Sequence, residues 1–187
     1  SRLLSLDLSH NKLTRIDASA FRALFTLQSL SLSYNEIESL AENAFSANRN
    51  LHTLSLSGNR LTSLDANSFA GLEVLNAMFL DHNRILHINP LTFSNITNLM
   101  ELNLGGNRLE AVPIAIANLH SLRSLDLSYN RIRDISNASY QGLEQLYGLN
   151  VEGNLVGNLS RGDFADLPSL RVLNLAANRI GSVEQGT

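Results

Sequence analysis

The sequence contains no cysteine, only 17% of its 187 residues are charged, and no signal peptide, lipidation motif or membrane-spanning run is visible in it. Without cysteine there is no disulfide framework, and there is no thiol for redox or nucleophilic chemistry. The net charge of −3 lacks the basic excess that is typical of nucleic-acid-binding chains. Hydrophobic residues make up 44% of the chain, which is ample material for a continuous core.

One phrase, LxxLxLxxN, recurs along the whole chain, and such a period predicts a repeat architecture. Each copy follows the last by 24 residues, except for one interval of 23. No stretch between copies is left over for a second domain. We number the copies as rungs one to eight by their asparagines, which are Asn11, Asn35, Asn59, Asn83, Asn107, Asn130, Asn154 and Asn178.

Around the second and third leucines of each copy, apolar and polar residues alternate, as in Leu54-Ser55-Leu56. This is the two-residue period of a strand with one buried face. The rest of each copy returns the chain to its start, so all the strands run the same way and form a parallel sheet. The sequence therefore predicts a solenoid with one strand per rung.

The recurring Asn and the aromatic that follows it have separate structural roles. Where each strand ends, the Asn is predicted to turn inward and to replace missing backbone hydrogen-bond partners, because an amide both donates and accepts. The aromatic is predicted to fill the wider outer side of the coil, at Phe21, Phe45, Phe69, Phe93, Tyr140 and Phe164. Rung five departs from this pattern, with Ile116 in the aromatic slot and Pro113 before it, and we expect an altered local curvature.

The full pattern, LxxLxLxxNxLxxLxxxxFxxLxx from Leu3 to Val183, resembles the leucine-rich repeat family, specifically its 24-residue extracellular type. The resemblance implies an α/β solenoid shaped as a horseshoe, with about eight rungs, a parallel concave β-sheet and a mostly irregular convex side. Extracellular members usually carry cysteine-rich caps. We therefore expect residues 1–187 to be an internal fragment of the solenoid that lacks both caps.

Within that family, the C-terminal half is most similar to the ectodomains of long arthropod Toll receptors of the Tollo kind. The stretches that carry this resemblance are LRSLDLSYNRIRDIS at 122–136 and QGLEQLYGLNVEGNLVGNLSRGDFADLPSLRVLNLAANRI at 141–180. It implies a type I membrane receptor, on the extracellular side of the plasma membrane and anchored through other parts of its chain. Its implied roles lie in innate immunity or in cell recognition during development.

Two functions remain open on this basis. The first is a receptor ectodomain that binds a secreted protein ligand of the cystine-knot type, with a homodimer or heterodimer as the signalling output. The second is an adhesion module that recognises another leucine-rich repeat ectodomain on a neighbouring cell. An intracellular scaffold is favoured only by the absence of cysteine. We expect neither an enzyme nor a nucleic-acid ligand.

Three sequons, at Asn95, Asn137 and Asn158, are candidate glycosylation sites. All three fall in return segments, where a glycan would leave the sheet intact. N-linked glycans are therefore expected, and no cofactor is.

The residues between the two strand leucines face solvent on the predicted concave side, and they are polar apart from Phe79. With Asp81 and Glu101, this ring forms a candidate partner contact. The alternative is that Phe79 is partly covered, packing on the strand of Leu104 or on a glycan.

A second column, just past the Asn, carries six cations that could bind a polyanion. They are Lys12, Arg60, Arg84, Arg108, Arg131 and Arg179, interrupted by Glu36 and Leu155. The simpler interpretation is favoured, because this slot is solvent-exposed in any such repeat and acidic residues stand beside it.

Catalytic and metal-binding patterns are weak. Ser57, Asp81 and His82 have the residue types of a triad, but no strained elbow presents the serine. His10 and His82 are three rungs apart, roughly 14 Å by strand spacing, which is too far for one metal ion.

Overall fold

The computed structural model describes residues 2–187, apart from the side chains of residues 137 and 138. Eight three-residue strands, one from each rung, form a single parallel sheet in chain order. They are Ser5–Asp7, Ser29–Ser31, Thr53–Ser55, Ala77–Phe79, Glu101–Asn103, Ser124–Asp126, Gly148–Asn150 and Val172–Asn174. The predicted parallel-sheet solenoid is confirmed.

The register of the sheet follows the sequence period. Leu30 pairs with Leu54, and Leu54 pairs with Met78, each partner lying 24 residues further on. At rung five the shift is 23, from Leu102 to Leu125, and the pairing continues. The missing residue therefore falls in the return segment, where it does not disturb the sheet.

The central residue of each strand faces inward, which explains why the alternating pattern produces strands here. From rung two to rung seven these residues are no more than 2% exposed, while their strand neighbours are half-buried or exposed. Burying a leucine side chain contributes about 1.5–3 kcal/mol. Because each rung contacts only its neighbours, this core extends along the solenoid.

The return segments contain turns, short strands and two short 3₁₀ helices. Two-residue strands pair in three places: Arg15–Ile16 with Ser39–Leu40, Ser63–Leu64 with His87–Ile88, and Asn158–Leu159 with Ser182–Val183. The 3₁₀ helices span Ile114–Asn118 and Asn137–Tyr140. Within the described residues, no helix is long and apolar enough to cross a membrane.

A row of stacked rings fills the convex side of the core. Successive centroids from Phe21 through Phe45 and Phe69 to Phe93 are 6.0–6.3 Å apart. Ile116 interrupts the row from inside the first 3₁₀ helix and is fully buried. The altered curvature expected at this rung remains a prediction.

The row of rings resumes with Tyr140, which lies 6.5 Å from the ring of Phe164. The Tyr140 hydroxyl is buried and has no hydrogen-bond partner among the described residues. Burial therefore raises the pKa of this phenol well above its usual range.

The asparagines of the repeat tie each rung to the one before it. Asn83 shows the arrangement: its Nδ2 donates to the carbonyls of Leu56 and Leu80, both at 3.0 Å, and its Oδ1 accepts from the amide of Leu61 at 3.0 Å. The asparagines of rungs two to seven are 3–7% exposed. Asn11 is exposed and bonds only within its own rung, and Asn178 is half-buried, because each lies in a terminal rung of the sheet.

Candidate functional site

The concave face of the sheet brings the three predicted contact residues onto one surface. Phe79 and Asp81 alternate along rung four, and Glu101 pairs in register with Ala77 of the same rung. Glu101 is exposed. Phe79 is half-buried, which corrects its description as an exposed ring, because the outward side chains of Ser55 and Asn103 stand on either side of it.

Asp81 is held in place by two hydrogen bonds. Its Oδ1 accepts from the Ser57 hydroxyl at 2.6 Å, and its Oδ2 lies 2.9 Å from Nδ1 of His82. The aspartate thus lies between serine and histidine, whereas an acyl-transfer triad needs histidine between the other two. These three residues are therefore linked without forming a nucleophilic site.

A hydrogen-bonded network covers the concave face of rungs six to eight. The Tyr129 hydroxyl donates to Oε1 of Glu152 at 2.7 Å, and Asn174 Nδ2 donates to Oε2 at 2.9 Å. The bond from Tyr129, followed by that from Asn174, lowers the pKa of Glu152. The same bond to Glu152 raises the pKa of Tyr129. The sequence analysis missed this pair because its members lie 23 residues apart.

The concave surface as a whole is acidic. It consists of the two outward residues of each strand and the residue two places further on. These positions carry carboxylates and no Lys or Arg; the carboxylates are Asp7, Asp81, Glu101, Asp126 and Glu152. Hydrogen bonds from Ser9 also lower the pKa of Asp7, so that carboxylate stays charged. The surface suits a partner with positive charge.

Rings and glycines share the column that precedes the repeated Asn. Every residue there has positive φ, from 52° at Tyr129 to 68° at Gly153. Each glycine in this column lies beneath the ring of the preceding rung: a Cβ at Gly58 would lie 2.5 Å from Tyr34 Cδ1, and one at Gly153 would lie 2.6 Å from Tyr129 Cδ1. The alternation of rings and glycines in the sequence is the signal that would have revealed this contact.

The basic column divides into a paired part and an unpaired part. Arg60 Nη1 lies 3.0 Å from Glu36 and 4.0 Å from Glu38. By contrast, Arg84, Arg108 and Arg131 are exposed, and no carboxylate of the described chain lies within ion-pair distance of them.

The sequons are surface features where the structure describes them. Asn95 is exposed, and so is Asn158, whose Oδ1 accepts from Ser182 Oγ at 2.9 Å. The side chain of Asn137 lies outside the described residues. Glycosylation remains a prediction. Among the described residues, no cluster of three or more His, Asp or Glu side chains is arranged to hold a metal ion.

Comparison with known families identifies the repeat. The profile described as leucine rich repeat matches six overlapping windows, at 1–61, 25–85, 49–109, 75–132, 97–156 and 120–180. No curated protein sequence matches the chain.

Solved structures with this fold include Toll-like receptor ectodomains. The Drosophila Toll–Spatzle complex in its glycosylated form superposes with a TM-score of 0.90 at 26% identity, over 98% of this chain and 25% of that chain. A second Toll–Spatzle structure gives 0.89 at 26% identity, over 96% and 24%. The complex of TLR13 with ssRNA13 gives 0.78 at 30% identity, over 94% and 29%. The chain therefore spans about a quarter of the length of these relatives.

Proposed function

Because this chain belongs to the leucine-rich repeat family and has the fold of Toll-like receptor ectodomains, which are non-enzymatic binding modules, we propose that it is a ligand-binding part of a Toll-like transmembrane receptor. The parent protein would lie on the extracellular side of the plasma membrane. Ligand-induced dimerisation would lead to signalling in innate immunity or development.

The ligand we propose is a secreted protein of the cystine-knot type that presents basic side chains. The acidic concave face is the observation that carries this proposal, since complementary charge steers association and selects partners. Phe79 supplies an apolar contact within that face, between Asp81 and Glu101. Burial of a whole Phe contributes about 1.5–3 kcal/mol. Since the ring is already half-buried, we expect roughly half of that, or about a five- to tenfold change in affinity.

The test measures binding of the immobilised chain to a panel of secreted cystine-knot dimers by biolayer interferometry. Phe79→Ala should weaken binding about five- to tenfold, and its circular dichroism should match that of wild type. Phe25→Ala is the control, because this ring is 55% exposed and lies outside the sheet. Arg84→Glu tests the basic column in the same assay.

The outcomes separate the alternatives. If Phe79→Ala and Phe25→Ala bind equally well, the concave contact is refuted. If only Arg84→Glu loses affinity, with a strong salt dependence, this ligand engages the basic column instead. Selective binding to another leucine-rich repeat ectodomain, with no binding to cystine-knot dimers, would assign an adhesion function.

A further inference from the structure

Three arginines on consecutive rungs form a row along the edge of the concave sheet. Arg84, Arg108 and Arg131, which we call the arginine row, each follow a buried ladder asparagine. Their backbone amides donate to the preceding rung, with distances of 2.8–2.9 Å to Leu61, Ile85 and Leu109 carbonyls. The backbone under each guanidinium is therefore fixed, and the side chains project at the rung spacing of about 4.8 Å.

The charge of this row is not neutralised within the described chain. Arg60, one rung earlier, is paired because Glu36 occupies the same column on the rung before it. The corresponding neighbours of Arg84, Arg108 and Arg131 are themselves arginines. Glu110 occupies the column of Glu38 but forms no ion pair with Arg131. Three like charges thus stand side by side, well within a Debye length of about 8 Å.

We propose that the arginine row is a binding site for a linear sulfated polysaccharide. Guanidinium groups bind tetrahedral oxyanions through paired N–H donors. A polyanion lying along the row would contact all three cations at once and would relieve their mutual repulsion. It would also leave the acidic concave face free, so this site is independent of the protein ligand proposed above.

Neighbouring carboxylates disfavour a single-stranded nucleic acid. Such ligands combine phosphate contacts with bases stacked on aromatic side chains. The exposed rings nearest the arginine row are His82 and Tyr129, and each is hydrogen-bonded to a carboxylate, Asp81 or Glu152. A nucleotide stacked there would bring its phosphate close to that carboxylate. A sulfated polysaccharide needs only the cations.

The rung spacing disfavours an acidic strand of another protein. Side chains on one face of an extended strand repeat at about 6.6 Å, which does not match the row. Sulfate groups project from both sides of a polysaccharide chain and are not restricted to that repeat.

The experiment measures binding of the chain to a heparin oligosaccharide by isothermal titration calorimetry at several salt concentrations. The variant is Arg84→Gln with Arg108→Gln and Arg131→Gln. The control, Arg22→Gln with Arg49→Gln and Arg123→Gln, removes the same charge from three exposed arginines outside the row. Both should unfold at the wild-type temperature, since all six side chains are exposed.

We expect the row variant to lose about tenfold or more in affinity, and its dependence of log K on log salt to flatten by about three, one for each cation removed. The control should retain most of the wild-type affinity and slope. Phe79→Ala should bind heparin as wild type does, which distinguishes this site from the concave contact.

Several results would overturn the proposal. One is absence of heparin binding by wild type, and another is equal loss in the row variant and the control. Equal binding of a desulfated oligosaccharide would exclude sulfate recognition. Tighter binding of poly(U) or poly-glutamate through the same arginines would reassign the row to nucleic acid or to an acidic protein.

Discussion

Replacing Asn83 by Ala removes one complete hydrogen-bonded link between two rungs. The amide of Leu61 donates to Oδ1 of Asn83, and Leu61 itself is fully buried. The carbonyls of Leu56 and Leu80 each lose a donor at 3.0 Å. Asn83 is 7% exposed, so water has little access to replace the amide.

The cost follows from the groups left unpaired. A buried N–H without a partner costs about 1–3 kcal/mol, and the two carbonyls add to this less strongly, because under-satisfied carbonyls are better tolerated. We therefore expect Asn83→Ala to lower the free energy of unfolding by about 2–3 kcal/mol. For a chain of this length, that lowers Tm by about 4–12 °C.

The assay compares urea and thermal unfolding of wild type, Asn83→Ala and Asn11→Ala. Asn11 occupies the same repeat position, but it is exposed and its bonds, to Leu8 and Ser9, stay within its own rung. Asn11→Ala should therefore cost less than about 0.5 kcal/mol. Equal destabilisation by the two substitutions would show that the inter-rung bonds of the asparagine do not stabilise the stack.

Two further predictions concern rungs six and seven. Gly153→Ala should destabilise the chain by about 1 kcal/mol or more, because φ is positive and the Cβ would lie 2.6 Å from the Tyr129 ring; Gly157→Ala, with open space around it, should be nearly neutral, and similar Tm values for the two would contradict the ring contact. Glu152 has a lowered pKa, so its contribution to stability is complete above an ordinary glutamate pKa of about 4.3 and is lost as pH falls through the lowered value. Tyr129 has a raised pKa, so its contribution is complete below about pH 10 and is lost as pH rises through the raised value. Tyr129→Phe should flatten both limbs of the Tm-versus-pH curve, and an unchanged curve would count against the Tyr129–Glu152 bond.

Several features of the fold follow from the sequence alone because they depend on one repeating local pattern. Every rung presents the same alternation of leucines and polar residues, so each strand has one face to bury and one partner a period away. The interval of 23 residues also identified rung five, where Ile116 and Pro113 change the return segment. In a solenoid, a sequence period is itself a contact distance, which makes register readable without coordinates.

The surface could be predicted only in part. Its residues could be assigned to columns, including Phe79 on the concave face and the arginines after the ladder asparagines. The exposure of Phe79 was wrong, because the period places a side chain on a face but does not describe how far its neighbours cover it.

Only the tertiary structure decided which members of a column are paired. Arg60 and Arg84 occupy the same repeat position, yet Arg60 contacts Glu36 and Arg84 contacts no carboxylate in the described chain. Likewise, Tyr129 reaches across one rung to Glu152. Backbone positions repeat because one short-range pattern specifies them, whereas side-chain pairs depend on which residues meet across neighbouring rungs and on the rotamers they adopt there. The sequence alone therefore determined the solenoid and its columns, and packing between rungs determined the charge and shape of its surface.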